Sequence, residues 1–328
     1  MAATGHEVTL FASGFPGGAE EETIDGVSIV RDGNRFTVYQ SAKRFYLRAK
    51  VRYDVVIDEI NTVPFQTPRF VNQGERRVAL LHQLAREFWF HEMPYPVAWM
   101  GYHYFEEHWL KQYRDLTTIT VSGSTRKDLV ELGFKDVRIV PNGLNAQVSE
   151  GVPPKTAEPS LVFVGRLKKA KRPQDAVEAF VLLKEKHPGL RLTVIGDGYM
   201  LDALRDAGTG AELLGYVDRT VRDEVVARSW AIIVPGVREG WGQVVTDSNA
   251  LGTPAVGYDI PGLRDSIRDG YNGLLTAPTP AALAEGAGRL ITDRAMRMRM
   301  SADALEWAKG FSWDRSAAEF EEVIKSVK

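Results

Sequence analysis

Short apolar runs rich in β-branched residues recur along the chain, and helix-length segments separate most of them. A first group comprises Val8–Ala12, Val27–Val30, Val55–Ile57, Val78–Leu81, Ile119–Val121 and Arg138–Val140. After a break come Leu161–Val164, Arg191–Ile195, Glu212–Leu214, Ala231–Val234, Ala255–Gly257 and Gly273–Leu275. Unbroken apolar runs, rather than strict alternation, predict strands covered on both faces and hence parallel sheets. Thr125 and Asp128 have capping-box spacing ahead of a helix through Leu132, which Gly133 closes. Pro173 suits the first turn of a helix reaching about His187, with Ala176, Val177, Phe180, Leu182 and Leu183 as its apolar stripe. Pro280 opens another helix towards Leu290, and Ser312 caps the last one. Between the two groups, Ala146–Ser160 holds three prolines and no apolar period, which reads as a linker. The pattern predicts two doubly wound α/β domains with a cleft between them.

Composition narrows the function. The 328 residues suit about two domains. Lys plus Arg is 41 against 43 for Asp plus Glu, a near-neutral balance that argues against a nucleic-acid binder. Without cysteine there is no disulfide framework, thiolate zinc site or cysteine nucleophile. No apolar run is long enough to span a bilayer, and the opening MAATGHEVTLF is too polar for a signal peptide. A cytoplasmic protein is the expectation.

The chemistry concentrates in the second group. Strand Leu161–Val164 runs into Gly165, Arg166 and, five residues on, Lys171. Strand Ala231–Val234 leads to Glu239-Gly240-Trp241-Gly242-Gln243-Val244-Val245-Thr246-Asp247. Two cations leaving a βα turn suit a diphosphate that gains charge as it departs. A helix starting near Gln243 aims unpaired N–H groups and its positive dipole end at the same place. The plainer alternative for Arg166 and Lys171 is a solvated basic turn. Gly196-Asp197-Gly198 begins like a dinucleotide fingerprint, but Leu201 stands where a third glycine belongs. No Asp-x-Asp occurs to bridge a metal to a diphosphate.

In order along the chain, GHEVTLF, VSGSTRKDL, IVPNGL, VGRLKKAKRP, VIGDG, LLGYV, EGWGQVVTD, ALGTPAVGY and DGYNGLL resemble glycosyltransferase family 4, the retaining nucleotide-sugar-dependent enzymes of the GT-B fold. The resemblance implies an α/β chain of two Rossmann-like doubly wound domains facing a cleft. Residues 1–150 form the acceptor-side domain, onto which a helix in 313–328 crosses back, and residues 155–312 bind the nucleotide sugar. It assigns Arg166 and Lys171 to the leaving diphosphate, Glu239 to the donor sugar and His82, at a strand end, to the same sugar. Donor contacts are expected from Gly165, Tyr216, Val217, Gly240, Trp241, Gly242, Gln243, Val244 and Asp247. Asp247 stands where the family has a ribose-binding glutamate, one methylene longer. The substrate is expected to be a UDP- or GDP-sugar, with an acceptor hydroxyl and with neither cofactor nor metal. A non-catalytic nucleotide-sugar-binding subunit and a sugar-nucleotide epimerase are the alternatives.

Two segments of the first half stand apart. Residues 88–109 hold nine aromatics and three of the six histidines, suiting either an acceptor platform or a core-packed helix. Residues 33–53 carry Arg35, Lys43, Arg44, Arg48, Lys50 and Arg52, with Phe45, Leu47 and Val51 between them. That segment suits peripheral contact with anionic membrane at its inner face, or merely a solvated basic face. In the family, GHEVTLF is the second strand, so the first βα unit is expected to be missing. Taking Gly17-Gly18 as the glycine-rich turn instead fails, because Asp25-Gly26 interrupts any following helix.

Overall fold

The computed structural model describes residues 1–327. The N-terminal half opens with β1 (Val8–Ala12), β2 (Glu21–Ile24), β3 (Val27–Arg31) and helix α1 (Val38–Arg48). Strand β4 (Val55–Glu59) and β5 (Arg76–Leu81) follow, then the short helices α2 (Phe88–Glu92), α3 (Tyr95–Met100) and α4 (Glu106–Leu110). Strand β6 (Thr117–Thr120), α5 (Gly123–Glu131) and β7 (Asp136–Ile139) complete it. These strands form two sheets. Strand β3 lies between a parallel β1 and an antiparallel β2, while β4-β5-β6-β7 form a separate parallel sheet. Sequence reading missed β2 because its Glu21-Glu22-Thr23-Ile24 carries little apolar signal. The Asp25-Gly26 pair that interrupts a helix instead turns a hairpin, with φ of 49° and 80°.

The C-terminal half runs β8 (Ser160–Val164), α6 (Pro173–Lys184), β9 (Arg191–Ile195), α7 (Leu201–Asp206), β10 (Glu212–Gly215), α8 (Arg219–Arg228) and β11 (Ala231–Val234). It continues with α9 (Gln243–Ala250), β12 (Ala255–Tyr258), α10 (Leu263–Ser266), β13 (Gly273–Thr276), α11 (Pro280–Thr292), α12 (Arg294–Ala308) and α13 (Trp313–Ser326). The sheet order is β10-β9-β8-β11-β12-β13 and every pair is parallel. Strands β8, β11 and β12 are buried almost throughout, which explains their unbroken apolar runs. The order reverses between β8 and β11, and the crevice beyond the C-terminal ends of those two strands is where such sheets hold ligands.

Several local expectations change. The cap of α5 is Ser122, whose hydroxyl accepts from Thr125 N at 3.2 Å, rather than Thr125 itself. The proline-rich segment 146–160 lies fixed along the C-terminal half. Ser149 N donates to Ala250 O at 2.8 Å and Thr156 N to Arg228 O at 3.0 Å. Lys155 Nζ donates to Ala227 O and Thr253 Oγ1, both at 2.8 Å. Helix α13 packs Phe320 and Val323 against Val78, Ile119 and Val140 of the N-terminal half. Among the described residues no helix is long and apolar enough to cross a membrane.

Candidate active site

A cavity of about 340 Å³ opens at the sheet's switch point. Gly165 and Arg166 reach it from the end of β8, Pro235, Gly236 and Glu239 from the end of β11, and Gln243, Val244 and Asp247 from the first turns of α9. The Arg166 turn is braced from β9, since Gly165 N donates to Ile195 O and Leu167 N to Asp197 O. A Cβ on Gly196, whose φ is 135°, would lie 1.9 Å from Gly165 O. The Gly196-Asp197-Gly198 run is therefore a close approach between two sheet turns, and its glycines hold up the Arg166 turn.

Lys171 sits at the end of a tight turn, Lys169–Lys171. Ala170 O accepts from Val237 N at 3.0 Å, which ties this turn to the one carrying Glu239. Lys171 Nζ and Glu239 Oε1 are 2.5 Å apart, both largely shielded from solvent. Burial pushes the Lys168 ammonium below its usual range, and the neighbouring positive charges of Arg166 and Lys171 push it the same way. Such crowded cations favour an anion. Helix α9 starts from Gly242, which has no side chain to cap it, so no side chain takes up the first N–H groups of the helix.

Asp247 is held from the side. Its carboxylate accepts from Asn145 N at 2.8 Å, Asn145 Nδ2 at 3.2 Å and Gln243 Nε2 at 3.0 Å. Gln243 Nε2 also donates to Gly143 O at 2.8 Å. The carboxylate still borders the cavity, with Asn145 beside it.

His82 stands outside the cavity lining, on the N-terminal side of the cleft. Its carbonyl accepts from Thr125 Oγ1 at 3.2 Å. A Cβ on Gly240 would lie 2.6 Å from that carbonyl, so the turn carrying Glu239 meets the end of β5 there. The imidazole Nε2 lies 4.0 Å from Glu59 Oε1 at the end of β4. Gly240 and Gly242 shape the turn without lining the cavity. Tyr216 is 80% exposed, and neither it nor Val217 reaches the cavity. Trp241 is buried edge-on against Phe311, a packing role that its position in the motif does not reveal.

Sequence reasoning missed the groups that join the halves. Arg238, 7% exposed, donates through Nε to Glu87 at 2.6 Å and through Nη1 to Asp128 at 2.6 Å. Burial works against the Glu87 carboxylate, but the Arg238 hydrogen bond and charge hold it below the usual range. Glu92 accepts from Ala170 N at 3.0 Å and Tyr199 OH at 3.1 Å, and Asp265 accepts from Ser124 N at 3.1 Å. Arg222 and Asp223 of α8 also line the cavity. Only Arg238 carried a signal, its place beside Glu239.

The segment 88–109 divides between the two roles it suited. Trp89 and Ala98 are buried with Ala85, and Tyr102 and Trp109 pack against them, while Tyr95, Trp99 and Tyr104 face solvent.

Comparison with known proteins agrees with this architecture. Residues 147–307 match the family model for glycosyl transferases group 1, and residues 1–148 match that for glycosyltransferase family 4. The chain is 30% identical over 242 residues to glycogen synthase of Mycobacterium tuberculosis (strain H37Rv), covering 68% of this chain and 56% of that protein. It is 31% identical over 216 residues to D-inositol 3-phosphate glycosyltransferase of Thermobifida fusca (strain YX), covering 61% of this chain and 45% of that protein. The matches thus span about half the length of these curated relatives. Among solved structures, sucrose-phosphate synthase from Thermosynechococcus elongatus superposes with a TM-score of 0.78 at 17% identity, over 99% of this chain and 90% of that one. Anabaena HepE in complex with UDP and glucose superposes at 0.69 and 14% identity, over 92% and 86%. The fold is of the GT-B type. With the two family models together spanning residues 1–307, the chain belongs to glycosyltransferase family 4.

Proposed function

We propose that the protein is a retaining glycosyltransferase that moves a sugar from a nucleoside-diphosphate sugar, a UDP- or GDP-sugar, to an acceptor hydroxyl. The observation that carries this reading is the Lys171–Glu239 pair at the switch-point cavity, with Arg166 and the uncapped start of α9 on the same space. A cavity of this size falls within the range that small ligands occupy. Arg166 and Lys171 would take the diphosphate, and Glu239 would accept hydrogen bonds from donor-sugar hydroxyls. Gly165, Gln243 and Val244 would supply backbone N–H groups, and Asp247 the ribose contact.

In the transfer, the bond from the anomeric carbon to the diphosphate oxygen breaks, and a bond to the acceptor oxygen forms on the same face. The acceptor proton passes to an oxygen of the departing diphosphate. The negative charge that grows on the leaving group as the bond breaks would be met by cations already in place, which is how preorganised sites lower such barriers. No protein nucleophile, cofactor or metal enters this scheme. His82 would close the cleft on the sugar from the N-terminal side, and the acceptor would enter past Glu59.

The Asp247 geometry favours a second reading, a nucleotide-sugar-binding subunit without turnover. Asn145 and Gln243 already occupy both carboxylate oxygens, so the shorter side chain has less to offer a ribose. A thermal-shift panel of UDP-, GDP-, dTDP- and ADP-sugars finds the donor. Acceptor-dependent release of free nucleoside diphosphate then supports transfer, whereas binding without release supports the subunit. Isomerisation of the donor sugar with no acceptor present would favour an epimerase.

A further inference from the structure

The turn Lys169–Lys171 owes its shape to groups outside the cavity. Ala170 is fully buried, and both of its backbone polar groups are committed. Its N–H donates to Glu92 Oε1 at 3.0 Å, and its carbonyl accepts from Val237 N at 3.0 Å. Lys169 N donates to Tyr199 OH at 2.7 Å, and that hydroxyl donates in turn to Glu92 Oε2 at 3.1 Å. One carboxylate of α2 thus accounts for consecutive N–H groups of the turn, the second directly and the first through a phenol. Lys168, just before them, lies over the Phe88 ring of the same helix, with Nζ 5.0 Å from the ring centre.

Tyr199 is 62% exposed, yet its place is fixed. The chain on either side of it is pinned to Leu167, whose N–H donates to Asp197 O at 2.8 Å and whose carbonyl accepts from Met200 N at 3.1 Å. This gives the Gly196-Asp197-Gly198 run a second use. A Cβ on Gly198, at a φ of 154°, would lie 2.4 Å from Leu167 O. Glycine there lets the loop come close enough to bring Tyr199 over the turn.

We propose that Glu92 and Tyr199 are positioning residues for the transfer: they set the Lys169–Lys171 turn, and through it the Lys171 ammonium, only while the N-terminal half is docked. The assignment rests on the transfer reading. Glu92, Tyr199 and Ala170 all stand outside the cavity lining, so the Glu92 carboxylate does not occupy the place of the diphosphate. Undocking α2 would strip Ala170 N of its acceptor, and a turn that has lost it gains by rearranging. Lys171 is the next residue, and its pairing with Glu239 depends on where the turn puts it. The leaving-group charge would then be met in full only in the closed molecule. A donor bound in an open cleft, where water has access, would stay unactivated.

The test compares Glu92→Ala, Glu92→Gln and Tyr199→Phe with the parent, in the whole chain and with a donor that supports turnover. Glu92→Ala should lower kcat roughly tenfold or more, the effect of losing hydrogen bonds to a charged group, while donor KM moves less than about threefold. Tyr199→Phe should lose less. Glu92→Gln should keep most of the rate, because its amide oxygen still accepts from Ala170 N. The deciding readout is the double variant. Lys171→Ala/Glu92→Ala should be no slower than Lys171→Ala, since a residue that acts through Lys171 then has nothing to act on. Amide exchange should speed up at Ala170 in Glu92→Ala and at Lys169 in Tyr199→Phe, with the melting transition preserved. Full turnover by Glu92→Ala, an equal loss in the Lys171→Ala background, or unchanged exchange would overturn the assignment. So would tighter binding of the free nucleoside diphosphate by Glu92→Ala, because the carboxylate would then be a competitor. Absence of turnover by the parent with every donor would overturn the transfer reading itself, and the assignment with it.

Discussion

Replacing Arg238 by Met should open the cleft while leaving the switch-point cavity intact. The guanidinium is nearly buried and links the turn before Glu239 to Glu87 and Asp128, both in the N-terminal half. Removing one partner from a fully buried ion network costs about 3–5 kcal/mol, chiefly because the remaining charges stay behind unpaired. Glu87 is 45% exposed, and water screens that arm, so about 2–3 kcal/mol is the expectation here. The other ties between the halves include Ser124 to Asp265 and Glu92 to Ala170 and Tyr199, neutral-to-charged bonds worth about 1.5–3 kcal/mol each before solvent screening. Losing the Arg238 tie should therefore leave a mixture of open and closed molecules.

With a donor that supports turnover, kcat for Arg238→Met should fall on the order of ten- to a hundredfold. Calorimetry with the free nucleoside diphosphate should show little change in affinity, because Arg238 does not line the cavity. Small-angle scattering of the variant should give a larger radius of gyration than the parent. Glu87→Gln should show part of the same effect and little further loss when combined with Arg238→Met. If nucleotide affinity fell as far as kcat, Arg238 would be acting through the Glu239 turn alone. Unchanged kcat and dimensions would refute the lock altogether.

Lys171→Ala should lower kcat on the order of 10²–10³-fold in a transfer assay, the usual effect of losing one preorganised charge-stabilising group. In calorimetry with the nucleoside diphosphate, Asp247→Asn should bind more weakly, and Asp247→Glu should bind as well as the parent or better. Lys155 is pulled down by burial to about 7 from an ordinary 10.5. Between those values the unfolded chain binds the extra proton, so urea midpoints should rise with pH over that window. The total is a few kcal/mol, and Lys155→Met should flatten the slope. Glu59→Gln should raise KM for the acceptor several-fold and leave donor KM unchanged, if the end of β4 faces the incoming acceptor as proposed.

The C-terminal half was legible because its site follows from local order. Gly165, Arg166 and Lys171 follow β8 and Glu239, Gln243 and Val244 follow β11 within a few residues, and the switch between those two strands gathers them in one place. Gly196-Asp197-Gly198 was visible but not interpretable, since its purpose is the approach to Gly165 across the sheet. Asp128 shows the limit most directly. Its spacing to Thr125 reads as a capping box, yet Ser122 caps the helix and Asp128 turns to Arg238, 110 positions away. The antiparallel pairing of β2 with β3 was not legible for a related reason, since apolar runs reveal strands but not which edges they share.

The residues assigned to the donor and those that hold the halves together are neighbours on the same two turns. Lys171 follows Ala170, whose N–H is held by Glu92 from the N-terminal half. Glu239 follows Arg238, whose guanidinium is held by Glu87 and Asp128. The turns are tied to each other twice, by Val237 N to Ala170 O and by the Lys171–Glu239 pair. A diphosphate drawing Lys171 towards itself must lengthen or replace that pair. The strain falls on turns that also carry the contacts to the N-terminal half. On the proposed reading, donor binding and cleft closure would share a set of bonds, and any difference in those bonds between open and closed states would appear equally in both equilibria. A variant that weakens closure without touching the pocket should shift nucleotide affinity only by the part of that coupling it removes. Arg238, outside the cavity but one residue from Glu239, is the position where the two effects separate most cleanly.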